Sequence, residues 1–249
     1  MSFRTRLRFN INRLANFIRP APKTTPLKIQ DILASGEGLE IVDRFRDFYY
    51  SSGITDDLKW RGIPLIKNPC DLWTLAELIG RIRPGLIIET GTHYGGSAAY
   101  CADMANIFGL DCTVVTIDIN PKFSYDPEKR KIVPLVGFST DSRIVAKVEG
   151  IARHTRQKPI MVMLDSDHTE ENVLKELMLY SPFVTRNSYL IVEDTNINGH
   201  PSFPSHGPGP WEAVDHFLKT NNDFVSDKEC EKHLLTFNPS GWLKRIKGN

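Results

Sequence analysis

Six carboxylates stand just beyond runs of apolar, often β-branched residues. They are Glu89 after 86–88, Asp118 after 112–117, Asp165 and Asp167 after 160–164, and Glu193 and Asp194 after 188–192. Runs of this length suit buried strands, and in an open parallel sheet ligands bind beyond the carboxyl ends of the strands. A single acid at such a place is commonly a helix cap, a role open to Asp141 and Asp165. Asp167, Glu193 and Asp194 are harder to explain that way. So many carboxylates on two adjacent strand ends repel one another unless a proton or a cation lies between them. Oxygen ligands without a histidine pair or a cysteine suit a hard ion such as Mg²⁺, with water or substrate completing its shell. The other reading is a set of solvated loop acids. His168 is the nearest general base by sequence, with Asp167 as its competitor. A histidine at a helix start is as readily a structural group.

The stretch 86–97, LIIETGTHYGGS, reads as strand, glycine turn and helix start, the layout of a nucleotide-binding unit. Its order, Gly91-Thr-His-Tyr-Gly95-Gly96, departs from the dinucleotide pattern G-x-G-x-x-G, and the glycines alone also fit a plain tight turn. Glu89 lies two residues before Gly91. An acid at that strand end suits a ligand with an ammonium group better than a pyrophosphate, which favours S-adenosylmethionine over NAD. Asp118 follows Glu89 by 29 residues, a little past the roughly 20-residue offset of a ribose-binding acid, and can accept from both ribose hydroxyls. A divalent ion beside a methyl donor implies a definite chemistry. The metal acidifies a substrate hydroxyl, a base takes its proton, and the oxygen attacks the sulfonium methyl in line.

Alternating strand and helix signals must position these groups, which predicts a mostly parallel α/β sheet covered on both faces. Strands are expected over 86–88, 112–117, 131–136, 160–164 and 188–192, with 224–225 and 234–237 as the last ones. Helices are expected over 72–82 (capped at Asp71), 97–108, from 142, over 169–180 and near 211–219. Residues 60–71 read as an ordered loop and 29–52 as a further helical pattern. Phe3, Leu7, Ile11, Leu14 and Phe17 or Ile18 recur at helical spacing among arginines, ending at Pro20-Ala-Pro22. That helix either packs on the protein or makes peripheral membrane contact through residues 1–19. We therefore divide the chain into residues 1–57, a basic helix with linker and helical extension, and a single domain at 58–249.

Composition is that of a soluble globular protein of 249 residues, with no apolar run long enough to span a bilayer and no secretory apolar core. Four cysteines lack metal-type spacing and suit buried thiols in a reducing, cytoplasmic compartment, with membrane association at the cytoplasmic face as an addition. Residues 1–30 hold seven basic and no acidic residues, leaving 24 basic and 30 acidic residues beyond them. The body is mildly acidic, which argues against nucleic acid as a partner.

Taken in order, WRGIP, KNPCDLW, IIETGTHYGGSA, TIDIN, GFSTD, MLDSDHT, YLIVEDT, HGPGPWEAV and LLTFNPSGWLKR resemble the cephalosporin hydroxylase family over roughly residues 58–245. That resemblance implies a Rossmann-like class I methyltransferase fold with N-terminal helical additions. It implies a donor held by Glu89, Gly91, Thr92, Gly95, Gly96, Ser97 and Asp118, with Ser139 and Asp165 beside it. It also implies an ion on Asp167, Glu193 and Asp194, and a 207–210 loop over the acceptor, with His200 or His206 touching it. Relatives methylate hydroxyls of sugars and other glycans. The expected function is a metal-assisted O-methyltransferase acting on a sugar, a glycan or a glycosylated metabolite, in a homo-oligomer. Two alternatives come from other classes. His168-Thr-Glu170 has the H-x-E spacing of a non-haem iron hydroxylase. A glycan- or membrane-binding protein with a vestigial donor pocket is the third.

Overall fold

The computed structural model describes residues 36–155 and 158–248. The expectations for residues 1–22 and the first residues of the 29–52 pattern lie outside the described residues. Among the described residues, 40–155 and 158–248 belong to one compact unit. After helix α1 (Gly36–Ser51) comes a short hairpin, β1 (Lys59–Trp60) and β2 (Ile63–Pro64), inside the expected loop. Arg61 and Gly62 both have positive φ (51° and 84°), as a two-residue type I′ turn requires. Helix α2 is Pro69–Ile82. Its cap is Asn68, which accepts from the Cys70 amide at 2.8 Å, rather than Asp71 as expected. Pro69 needs no amide partner at the first helical position, so the helix starts a few residues earlier and takes Asp71, itself buried, into its first turn.

A seven-stranded sheet follows. Its members are β3 (Leu86–Thr90), β4 (Thr113–Asp118), β5 (Ile132–Val136), β6 (Ile160–Leu164), β7 (Tyr189–Val192), β8 (Phe224–Ser226) and β9 (Trp242–Arg245). The spatial order is β5-β4-β3-β6-β7-β9-β8. Strands β3 to β7 pair in parallel, and β9 runs antiparallel to both of its neighbours. The last strand is therefore 242–245 and not the expected 234–237. Thr236, Phe237 and Asn238 are spent instead on hydrogen bonds around buried acids.

Four further helices connect the strands: α3 (Gly96–Ile107), α4 (Ser142–His154), α5 (Glu170–Tyr180) and α6 (Pro210–Thr220). Asp141 does cap α4, through the Arg143 amide at 2.8 Å. Successive strand residues point to opposite faces. Ile88, Val115, Val162 and Leu190 join Val148, Leu177 and Phe217 of α4, α5 and α6 in one core. Ile87, Val114, Met161 and Ile191 join Ile79 of α2 and Met104 of α3 in the other. Burial on both faces is why residues 86–88 of β3 and all of β6 are continuously apolar rather than alternating.

The chain leaves β3 toward β4 on one side and later fills β6 on the other, so the order reverses between β3 and β6. At such a switch point the connections diverge and open a crevice. Gly91 makes the crevice floor possible. A Cβ on it would lie 1.8 Å from the Asp165 carbonyl oxygen, and its φ is +86°. The glycine lets two strand ends meet while still lining the crevice above them. Gly96 plays the same part against the Pro64 carbonyl, 2.1 Å from its hypothetical Cβ. Among the described residues no helix is long and apolar enough to cross a membrane.

Candidate active site

A cavity of about 530 Å³ opens over the switch point, lined from Asp118, Ile119 and Phe138 at one end to Asp165, His168 and Asp194 at the other. The first end is organised by backbone. Asp118 accepts from the His93 amide and the Asn120 amide, both at 2.8 Å, which aims its carboxylate while leaving lone pairs for a further donor. Ile119 and Phe138 are 60% and 69% exposed, large apolar side chains beside a polar anchor, as a purine and ribose would require. Ser139 lines the same wall, and its carbonyl is fixed by the Tyr180 hydroxyl at 2.7 Å.

Beneath the cavity Glu89 is 1% exposed. Its Oε2 accepts from Thr116 at 2.6 Å, and the Thr116 hydroxyl is in turn 2.6 Å from that of Thr92. Its Oε1 is buried without a hydrogen-bond partner. Burial pushes this carboxyl up to about 7, against the pull of Ser97 and Thr116. An orphaned acceptor here fits an incoming ammonium group. Gly91, Thr92, Gly96 and Ser97 line a smaller recess of about 60 Å³ beside it. Gly95 caps α3 in a left-handed conformation.

The other end is organised by side chains. His168 Nε2 lies 3.4 Å from Asp165 Oδ1 and 3.6 Å from Asp194 Oδ2. One atom from each of the three residues falls within 4.8 Å of the others. This trio differs from the expected set of Asp167, Glu193 and Asp194. Asp167 turns its Oδ1 to the Thr169 amide at 3.1 Å, an ordinary loop bond at a helix start, although it still borders the cavity. Glu193 is engaged by Lys67 at 3.1 Å and by the Asn238 amide group at 2.7 Å. Burial raises the carboxyls of Glu193 and Asp194. Burial also opposes the charge on Asp165, but Lys67 and His168 outweigh it and hold that carboxyl low. For His168, burial is again outweighed, and Asp165 and Asp194 lift the imidazole to about 9.

The model for rhamnosyl O-methyltransferase/CmcI matches residues 52–246. The chain belongs to this family. The ordered motifs had pointed to the same group. A rhamnosyl O-methyltransferase of Mycobacterium tuberculosis (strain H37Rv) is 36% identical over 209 residues, covering 82% of this chain and 85% of that protein. The Mycobacterium leprae (strain TN) counterpart is 34% identical, covering 82% and 90%. Among solved structures, a CmcI apo-structure aligns with a TM-score of 0.58 at 22% identity, covering 78% of each chain. A CmcI structure described as Mg-SAM aligns at 0.57 and 22% identity, covering 77% and 78%. At that identity the structures support the fold: a class I methyltransferase sheet with helices on both sides.

Within this rhamnosyl O-methyltransferase/CmcI member, several residues at the site had been given no part in binding or chemistry. Lys67, from the loop between β2 and α2, bridges Asp165 and Glu193. Asp71 is buried, pushed up to about 8 by burial against hydrogen bonds from Thr236 and the Phe237 amide. Tyr50 of α1 packs edge-on to Phe237 at 4.9 Å. Burial and the charges of Asp194 and Asp165 raise its hydroxyl well above the usual range. Lys67 was visible only as part of a motif, Asp71 as part of one and as an expected helix cap, and Tyr50 carried no signal. The 194–210 segment packs beside the trio: the Glu170 amide donates to Pro208 at 3.1 Å, and a Cβ on Gly209 would lie 3.0 Å from the His168 carbonyl. His200 stacks on Trp211 and pairs with Glu212 at 3.0 Å, while His206 Nδ1 lies 3.1 Å from the Gly207 carbonyl oxygen. The H-x-E reading fails on ligand type. Glu170 faces His216 at 3.6 Å, and among the described residues His168 gathers two carboxylates instead of a second histidine.

Proposed function

We propose that the protein is an S-adenosylmethionine-dependent O-methyltransferase that acts, with a divalent cation such as Mg²⁺, on a hydroxyl of a rhamnosyl or related sugar. Residues 58–249 carry the activity. The observation behind this reading is the single cavity running from Asp118 to the Asp165, His168 and Asp194 trio, which lets a donor and a cation-held hydroxyl meet. Asp118 takes the donor's ribose hydroxyls, Phe138 and Ile119 flank its purine, and Glu89 with Thr92 and Ser97 receives its amino-acid end. Gly91, Gly95 and Gly96 shape that recess, and Ser139 closes the wall. Asp165 and Asp194 hold the cation, two carboxylates that leave further positions for hydroxyls or water. When bound, the cation acidifies the acceptor hydroxyl and fixes its orientation. His168 takes the proton, since a dication beside it disfavours the imidazolium. Asp167 orders the turn that carries His168, and Glu193 adds negative charge behind the seat. Burial of the donor's sulfonium end next to this cluster supplies alignment, from which much of the acceleration comes.

The test is a mass-spectrometric screen of rhamnose-containing glycans and glycolipids for a gain of one methyl group. Turnover should vanish with a chelator and return with Mg²⁺. Calorimetry showing no donor binding at millimolar concentration would instead favour a vestigial pocket. From the sequence the reading also carries self-association and peripheral membrane contact through residues 1–19. Analytical ultracentrifugation tests the first, and liposome flotation with and without residues 1–22 the second.

A further inference from the structure

The proposed reaction leaves one group of the site without a task. The Lys67 side chain is 6% exposed, with Nζ 2.7 Å from Asp165 Oδ2 and 3.1 Å from Glu193 Oε1. It reaches the site from the loop before α2 and not from any strand that ends there; the neighbouring Asn68 is anchored as the α2 cap. Glu193 Oε2 is already taken by Asn238. Asp165 is divided: Oδ2 faces the ammonium, while Oδ1 faces His168 in the metal-type trio. A monovalent cation thus sits on Asp165, a carboxylate that a divalent one would use, and ties it to Glu193 behind.

We propose that Lys67 is an internal counter-ion that competes with the divalent cation for Asp165, keeping cation affinity low and holding Asp165 and Glu193 together when no cation is bound. The inference rests on the cation-assisted reading above. Two buried carboxylates without a partner repel, so a permanent ammonium stabilises the metal-free site. The same charge, within a few ångströms of the trio, opposes entry of a dication.

Mn²⁺ binding to the full chain without donor, followed by electron paramagnetic resonance and calorimetry, tests this. Lys67→Gln should bind Mn²⁺ at least tenfold more tightly than wild type, and Lys67→Arg should stay near wild type. Metal-free Lys67→Gln should also melt lower, with Mn²⁺ restoring it. A lysine that only supports the fold would give the opposite, weaker binding on removal, so unchanged or weakened affinity in Lys67→Gln overturns the proposal. If that variant does not fold, Lys67→Gln/Glu193→Gln is compared with Glu193→Gln, and the same tenfold gain is expected. No Mn²⁺ binding by any of these proteins overturns it as well. Chelator-sensitive methyl transfer by wild type is measured separately, so failure of the lysine's role is distinguishable from failure of the cation reading.

Discussion

The two ends of the cavity are built on opposite principles. At the donor end, polar groups are held by nearby backbone and hydroxyls: Asp118 by the amides of His93 and Asn120, and Glu89 through one oxygen by Thr116, its other oxygen left for a ligand. At the cation end, charges are held by other charges: Asp165 by Lys67 and His168, Glu193 by Lys67, Asp194 by His168. Backbone bonds make a pocket whose shape is set by folding and insensitive to ions. Opposed buried charges make one whose state depends on what else is bound, because each member is costly to leave alone. The donor end therefore acts as a mould and the cation end as the responsive, chemical half.

Gly91, shared by both ends, offers the hardest way to break this division. Gly91→Ala would drive a methyl into the Asp165 carbonyl in a backbone region that alanine disfavours. We expect a loss of roughly 3–5 kcal/mol, seen as a melting temperature lower by about 10 °C, with donor and cation binding falling together. Loss at only one end would show that the strand ends are not a common floor. Asp194→Asn separates the halves. It should cut kcat/KM roughly a hundredfold to a thousandfold while donor affinity, read by calorimetry, changes little. Asp118→Asn should do the reverse, weakening donor binding about tenfold to a hundredfold, the scale of a lost charged hydrogen bond, with smaller effects on cation binding. If Asp118→Asn chiefly removed cation binding, the division would be wrong.

The same contrast governs what the sequence could reveal. The strand expected over 86–88 and found over 86–90, the strand 160–164, the α4 cap at Asp141 and the glycine turn into α3 were readable because their determinants lie within a few residues of each other. Asp165 and His168, three apart, were both noticed but given other partners. The acid that caps and the acid that faces the cavity look alike along the chain. Only the bond from the Thr169 amide shows that Asp167 is partly spent on the turn. Lys67 pairs with a residue 98 positions away, Asn238 with one 45 away, and Asp71 with a backbone amide 166 away. No local pattern encodes such pairings. The same holds for the 234–237 segment, apolar enough to suggest a strand but drawn off the sheet by the acids it serves.

The mildest expected effect concerns protons at the cation end. In the folded, metal-free protein the His168 imidazole is lifted to about 9 by Asp165 and Asp194, above the unfolded value of about 6.5. A base whose folded pKa is raised adds stability that is complete below the unfolded value and lost as pH rises through the folded one. Wild type should therefore lead His168→Gln by a few degrees in melting temperature near pH 6, and the lead should shrink steadily toward pH 9. Saturating Mg²⁺ should flatten the difference, because the cation takes over the neutralising role of the proton. Across the same range the calorimetric donor affinity of His168→Gln should track that of wild type, since Asp118 is oriented by backbone amides rather than by a titrating partner. A lead that grows with pH, or a donor affinity that follows it, would mean that the two ends share one electrostatic network instead of dividing shape from charge.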